Sequence, residues 1–351
     1  MLPLELWWDI LLWTNDLRLI FTFAHRDMHV KRAVARKTNR TQAWRNAMLT
    51  GDVLRLHFLH HHQFHIDIPT LNSQNMIDAA AGLGHLDVLE FVHTNRKDMT
   101  CTTEAMNKAA MRGDLHVVQF LHTRRTEGCT TDAMNWAAGL GHLSIVEFLH
   151  THRTEGCTTN AMDLAAGSGH LSIVAFLHSH RTEGCTTKAM DWAAAGGHLH
   201  VIEFLHSHRT EGCTTDAMDW AASHGYLSIV EFLYKNRTEG CTTPYAMDMA
   251  AACGHLSIVA FLHSRRTSGC TTDAMDLAAY YGHLSIVEFL HTHRTEGCTK
   301  NAMSLAAMRG HLPIVEFLYK NRTEGCPKNA MDLATTNEHT AVVEFLALFD
   351  R

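Results

Sequence analysis

Cys129–Gly156 reads CTTDAMNWAAGLGHLSIVEFLHTHRTEG, and the next 28 residues, Cys157–Gly184, read CTTNAMDLAAGSGHLSIVAFLHSHRTEG. The same phrase returns to the end of the chain. A fixed period of this size marks a stack of repeated units, because one unit cannot bury its apolar face alone. Gly51 aligns with Gly84, Gly113, Gly141, Gly169, Gly197, Gly225, Gly254, Gly282 and Gly310, and Glu338 holds the eleventh place. The first step is 33 residues and the later ones are 28 or 29. The fold class expected is all-α, a helical-hairpin solenoid of about eleven repeats, occupying residues 41–351.

Each unit reads as helix, tight turn, helix, loop. In the unit at Cys129, Thr130 or Thr131 can cap the first helix by accepting backbone N–H bonds. Ala133, Met134, Ala137 and Ala138 permit close helix packing. Gly141 suits the left-handed end of a helix. Leu143, Val146 and Leu149 are the expected inner stripe of the second helix, widened by Ile145 and Phe148. Helices shorter than about 12–15 residues are marginal alone, so stability must come from neighbouring units.

This pattern resembles the ankyrin repeat. The family's Thr-Pro-Leu-His-x-Ala segment corresponds to Asp132-Ala133-Met134-Asn135-Trp136-Ala137, and its Gly-His-Leu-x-x-Val turn to Gly141, His142, Leu143 and Val146. Three departures are visible: Ala replaces the usual Pro, Asp or Asn (Asp163, Asp191, Asp219) or Ser304 replaces the usual His, and the unit is shorter than the common 33 residues. The missing residues fall where an ankyrin repeat projects its hairpin finger. A compact turn pivoting on Gly156 is expected instead, with a longer loop only at His57–Asn75. Such shortened arrays are similar to those of large DNA viruses and protists. The resemblance implies protein partners and a cytoplasmic location, the host cytoplasm for a viral chain. The eleventh unit replaces its turn with Thr335–Thr340, as a water-facing terminal repeat would. The eighth gains one residue at Pro244-Tyr245, where Pro is tolerated near a helix start.

Residues 1–40 differ from the rest. Their apolar spacing predicts two or three short helices. Leu2, Pro3, Glu5, Leu6, Ile10 and Leu11 resemble the opening of an F-box. That resemblance implies docking to a Skp1-like adaptor through Leu2, Pro3, Leu6, Ile10 and Leu11, and so a substrate-recognition role in an SCF-type ubiquitin ligase. The alternative is a hydrophobic cap sealing the first repeat of a plain binding array.

Composition narrows the function classes. The 351 residues are 46% hydrophobic and 19% charged, with net charge −6 when His is neutral. No basic excess points to nucleic acid. The apolar N-terminus carries Glu5, Asp9 and Asp16 and reads as a poor signal peptide. No run of about 18 apolar residues suggests a membrane span. Most of the ten cysteines, from Cys101 to Cys326, sit at one place in the repeat, with Cys253 outside. Stacked helices lie roughly 8–10 Å apart, too far for disulfides. A row of buried thiols in a reducing compartment is expected.

The recurrent polar residues invite chemistry but do not form it. Histidine pairs such as His150/His152, His178/His180, His206/His208 and His291/His293 stand at i, i+2 and diverge on a helix, so no metal site is expected. Contact with terminal helix carbonyls suits them better. His60, His61, His62 and His65 read as a solvated loop. The Asp of each Ala-Met-Asp triplet is periodic, whereas an active site is one asymmetric cluster. It serves the helix dipole or bonds the neighbouring turn. Trp136, Trp192 and Trp220 exchange with Leu164, Leu277 and Leu305, a pattern read as core substitution. No catalytic residues, cofactors or enzyme activity are expected.

Recognition is expected where the units vary: before Ala-Met (Glu104, Asp132, Asn160, Lys188, Asp216, Asp273, Asn301) and before the turn glycine. Both places belong to the first-helix face. Tyr and Arg are common binding anchors, which selects Tyr280, Tyr281 and Arg309, followed by Arg112 and His224. Drift among recently duplicated units would produce similar variation.

Overall fold

A computed structural model describes residues 40–61, 73–239, 243–265 and 269–349. The F-box-like residues Leu2, Pro3, Leu6, Ile10 and Leu11, and also His62, His65 and Cys241, lie outside the described residues. Among the described residues the secondary structure is helical, arranged as eleven hairpins.

The chain divides into two compact units, Met1–Ala161 and Met162–Arg351. In chain order the first helices are α1 (Arg40–Thr50), α2 (Val53–His61), α3 (Ser73–Gly82), α4 (Leu86–Asn95), α5 (Thr103–Arg112), α6 (Leu115–Arg124), α7 (Thr131–Gly139), α8 (Leu143–His152) and α9 (Thr159–Gly167). Then follow α10 (Leu171–His180), α11 (Lys188–Ala195), α12 (Leu199–His208), α13 (Thr215–Ser223), α14 (Leu227–Asn236), α15 (Tyr245–Ala252) and α16 (Leu256–Ser264). The last are α17 (Thr272–Tyr281), α18 (Leu284–His293), α19 (Asn301–Met308), α20 (Leu312–Asn321), α21 (Pro327–Thr336) and α22 (Thr340–Ala347). Within each unit, odd-numbered helices pack on odd-numbered ones of adjacent repeats, and even-numbered on even-numbered.

Local rules explain each hairpin. Thr130 Oγ1 accepts the Asp132 N–H at 3.2 Å, capping α7. At its other end, the His142 N–H donates to the Ala137 carbonyl at 2.9 Å. Gly141, at φ +85°, makes that wrap possible. Ala133, Met134, Ala137 and Ala138 are at most 1% exposed. The small side chains let α7 approach its neighbours closely. Gly156 has φ +72° in a turn without strands, as the trimmed loop requires.

Three expectations need correction. The buried stripe of α8 is Ile145, Val146 and Leu149, while Leu143 and Phe148 are only half-buried. Leu143 opens the helix at its wet end, and Phe148 turns toward histidines. Each fully buried Ile, Val or Leu stabilises by about 1.5–3 kcal/mol. Second, both ends of the loop expected at His57–Asn75 are helical: His57–His61 close α2 and Ser73–Asn75 open α3. Third, Trp136, Trp192, Trp220, Leu164, Leu277 and Leu305 are half-buried, not core.

Candidate protein-binding face

Three polar links join successive repeats and hold the exposed face in place. The first is the recurrent Asp or Asn. Thr214 donates its N–H and its hydroxyl to Asp191, at 2.8 and 3.0 Å. Where Asn stands, the roles shift: Thr130 N–H donates to Asn107 Oδ1, and Asn107 Nδ2 donates to Thr130 Oγ1, both at 3.0 Å. Of the two roles open to this carboxylate, the bond to the neighbouring turn is the one observed. Burial pushes the Asp191 carboxyl up, against the bonds from Thr214 that pull it down.

The second link is histidine under glycine. His142 Nε2–H donates to the Met111 carbonyl at 3.2 Å, one repeat back. Its ring fills the space where a Cβ on Gly113 would stand. His311 does the same beneath Gly282, donating to Tyr280 O at 3.1 Å.

The third is the Arg-Thr-Glu loop. Arg153 grips Glu155 in an ion pair, and Glu155 Oε1 accepts the Cys129 N–H at 3.3 Å. Burial alone would raise the Glu155 carboxyl, but Arg153 and the backbone donors outweigh it and hold its pKa at about 2. Among the described residues the cysteines form no disulfide. Burial pushes Cys129 up to about 11 and Cys185 to about 12, so they stay protonated and unreactive.

Against this frame the predicted site residues separate into groups. In the first unit, Arg112 is exposed at the end of α5, beside the left-handed Gly113. In the second unit, Tyr280, Tyr281 and Arg309 come together. The two tyrosine rings meet edge to face at 4.8 Å. Arg309 Cζ lies 5.1 Å from the centre of the Tyr280 ring, a cation–π contact. Tyr281 is 52% exposed. His224 makes its own pair: its ring lies parallel to Tyr226 at 6.0 Å, and its Nδ1–H donates to Trp220 O at 2.8 Å. Tyr226 stands where other repeats place the latch histidine, against Gly197.

Sequence reasoning missed two contributors. Tyr245, the residue displaced by the one-residue insertion, is 51% exposed at the start of α15. Its place before Ala246-Met247, among the varying positions, was the available signal. The half-buried row Trp192, Trp220, Met249, Leu277 and Leu305 supplies apolar surface on the same helices. Lys188 Nζ lies 5.6 Å over the Trp192 ring. Such a row of large, partly wet side chains flanked by Tyr and Arg suits protein recognition better than catalysis.

The histidine expectation also splits. His152 Nδ1–H donates to the Phe148 carbonyl at 3.0 Å, as a helix-end histidine should. His122 instead meets Phe148 of the next repeat edge to face, ring centres 5.5 Å apart. Among the described residues no group of three or more His, Cys, Asp or Glu is placed to hold a metal ion. No described helix is long and apolar enough to cross a membrane.

Comparison with known families agrees with the architecture. A family model described as ankyrin repeats (3 copies) matches residues 106–191, 161–244 and 274–350. A second, ankyrin repeats (many copies), matches residues 77–122. No curated protein matches the chain.

Proposed function

The chain belongs to the ankyrin-repeat family, and from that premise we propose that it is a non-catalytic protein–protein interaction scaffold whose second unit carries the recognition face. The observation that carries this reading is the Tyr280–Tyr281–Arg309 cluster, with Tyr281 and Arg309 exposed and Tyr280 half-buried, beside the half-buried apolar row. The stacked guanidinium is already positioned, so little side-chain entropy is lost on binding. Arg112 and His224 are secondary contacts of this reading. The test starts from a partner captured by the full chain and identified. Its affinity is then measured for Tyr280→Ala, Tyr281→Ala and Arg309→Ala combined. A loss of at least about 10-fold with unchanged helical circular dichroism is expected. Unchanged affinity removes this face from the reading.

A second reading adds recruitment to an SCF-type ubiquitin ligase. Its support is the F-box-like spacing of Leu2, Pro3, Leu6, Ile10 and Leu11. A Skp1-like adaptor should then be retained by the full chain and lost on Leu6→Asp. Failure to retain it leaves the plain binding array, with residues 1–40 as a cap.

A further inference from the structure

The ends of the even-numbered helices carry two rows of histidine that the binding reading does not use. The front row is His122 in the first unit and His178, His206, His263 and His291 in the second. Each meets a phenylalanine of the following repeat edge to face: Phe148, Phe204, Phe232, Phe289 and Phe317, at 5.4–5.6 Å between ring centres. Their Nδ1 atoms are buried and have no hydrogen-bond partner among the described residues. The back row is His152, His180, His208 and His293. Each stacks on the phenylalanine of its own helix at 4.3–4.4 Å and donates its Nδ1–H to that residue's carbonyl. Front and back rings of adjacent repeats meet edge to face: His122 and His152 at 5.6 Å, His178 and His208 at 5.5 Å, His263 and His293 at 5.6 Å.

This arrangement is closed when neutral and strained when charged. A back-row ring already uses Nδ1–H, so an added proton goes to Nε2 and places a positive charge across the seam from the front-row ring. The front-row ring has no such outlet. An imidazolium carries N–H on both nitrogens, so protonation would bury an Nδ1–H that lacks an acceptor. The groups facing His122 from the next repeat are His152, Arg153 and Glu155. Those facing His263 are His293, Arg294 and Glu296. Each Glu is already clamped by its Arg, so it offers little compensation. Burial, then the Arg and the neighbouring His, hold His122 and His263 below the ordinary histidine value.

We propose that these two rows act as a proton-operated release on the seams between successive even-numbered helices, closed at neutral pH and loosened by mild acid. The chain contains its own neutral counterpart. In α14 and α20 the front ring is Tyr234 or Tyr319, facing Phe261 or Phe345 edge to face at 5.7 and 5.9 Å. The back position is Asn236 or Asn321, whose Nδ2 donates to Phe232 or Phe317 O at 2.8 Å. Tyr and Asn therefore keep the packing and the helix-end bond without titrating.

The test uses the full chain. One variant combines His178→Tyr, His206→Tyr, His263→Tyr and His291→Tyr with His208→Asn and His293→Asn. Thermal midpoints of parent and variant are compared at pH 7.5 and pH 5.5 by circular dichroism. The parent should fall further than the variant, by about 5 °C or more. Buried aspartates titrate in both proteins, so their contribution cancels in the difference. Equal falls overturn the proposal. Should the combined variant not fold, the pair His263→Tyr and His293→Asn is run as a double-mutant cycle. Coupling at pH 5.5 that is absent at pH 7.5 supports the release, and no pH dependence of the coupling overturns it.

Discussion

Asp163 receives Thr186 from the next repeat through two hydrogen bonds, one from the backbone N–H and one from the hydroxyl, both at 2.8 Å. Thr186 Oγ1 in turn accepts the Lys188 N–H at 3.2 Å. The acid of one repeat thus orients the cap of the next helix. Asn107 and Asn135 hold the same place in other repeats with the same partner geometry. Asp163→Asn should therefore change stability by less than about 1 kcal/mol, since the amide can reverse its bond to the hydroxyl. Asp163→Ala leaves Thr186 without its acceptor and should cost about 2 kcal/mol. Urea denaturation of both variants at neutral pH separates the two outcomes.

Asp219 is the exception in this series. It is 6% exposed, and its Oδ1 has no hydrogen-bond partner among the described residues. Burial first, then the charge of Asp216, push its carboxyl up to about 6. Between the ordinary aspartate value of 3.8 and about 6 the folded protein holds a proton that the unfolded chain has released. Stability from this group is therefore lost as pH rises through that window. Asp219→Asn should stabilise the protein at pH 7 by about 1 kcal/mol, and the gain should shrink toward pH 4.5. Denaturation midpoints measured at both pH values check the sign. A gain that does not depend on pH would show that the charge is not its source.

Much of the repeat was legible because its causes are local. The glycine ladder, Thr130 as a cap and the Ala133–Ala138 helix follow from short-range rules, and the structure has them where the spacing puts them. The link from Asp163 to Thr186 was only half legible, because a dipole role and a bond to the neighbouring turn predict the same residue type. The histidine pair was harder still. His150 and His152 diverge, as i, i+2 spacing requires, but the front-row ring's fate depends on a phenylalanine one repeat away. Trp136 was misread because exchange with Leu indicates an apolar site, not how deeply the site is buried. Of the candidate site, Tyr280 and Arg309 lie 29 residues apart in sequence, one repeat plus one position, and they do meet. Arg112 and His224 belong to other repeats and join other neighbours.

Glu338 shows what the repeat loses without glycine. It has φ +60°, a left-handed backbone that side chains other than Gly adopt at a cost. Glu338→Gly should raise stability by about 1 kcal/mol. The converse change, Gly282→Ala, meets two obstacles. Its φ is +88°, and the new Cβ would stand 2.8 Å from His311 Cε1. Backbone strain and the displaced His311–Tyr280 bond together should cost about 2–3 kcal/mol. Paired thermal melts decide the matter: the two substitutions must move the midpoint in opposite directions.

The cysteines offer a chemical reading of the same stack. Cys129, Cys185, Cys213, Cys270 and Cys298 are buried, and burial pushes each to about 11 or 12 from the ordinary thiol value of 9.0. Cys253 and Cys326 are exposed. Alkylation requires the thiolate, so a rise of about two pKa units alone cuts its population about 100-fold at pH 8. Steric cover by Arg-Thr-Glu loops lowers the rate further. Brief iodoacetamide treatment of the native chain, followed by peptide mass mapping, should therefore label Cys253 and Cys326 first. The buried set should react at least about 100-fold more slowly until urea opens the repeats. If Cys129 or Cys185 labels as fast as Cys253 in the native chain, the thiol row is not packed between neighbouring repeats as described.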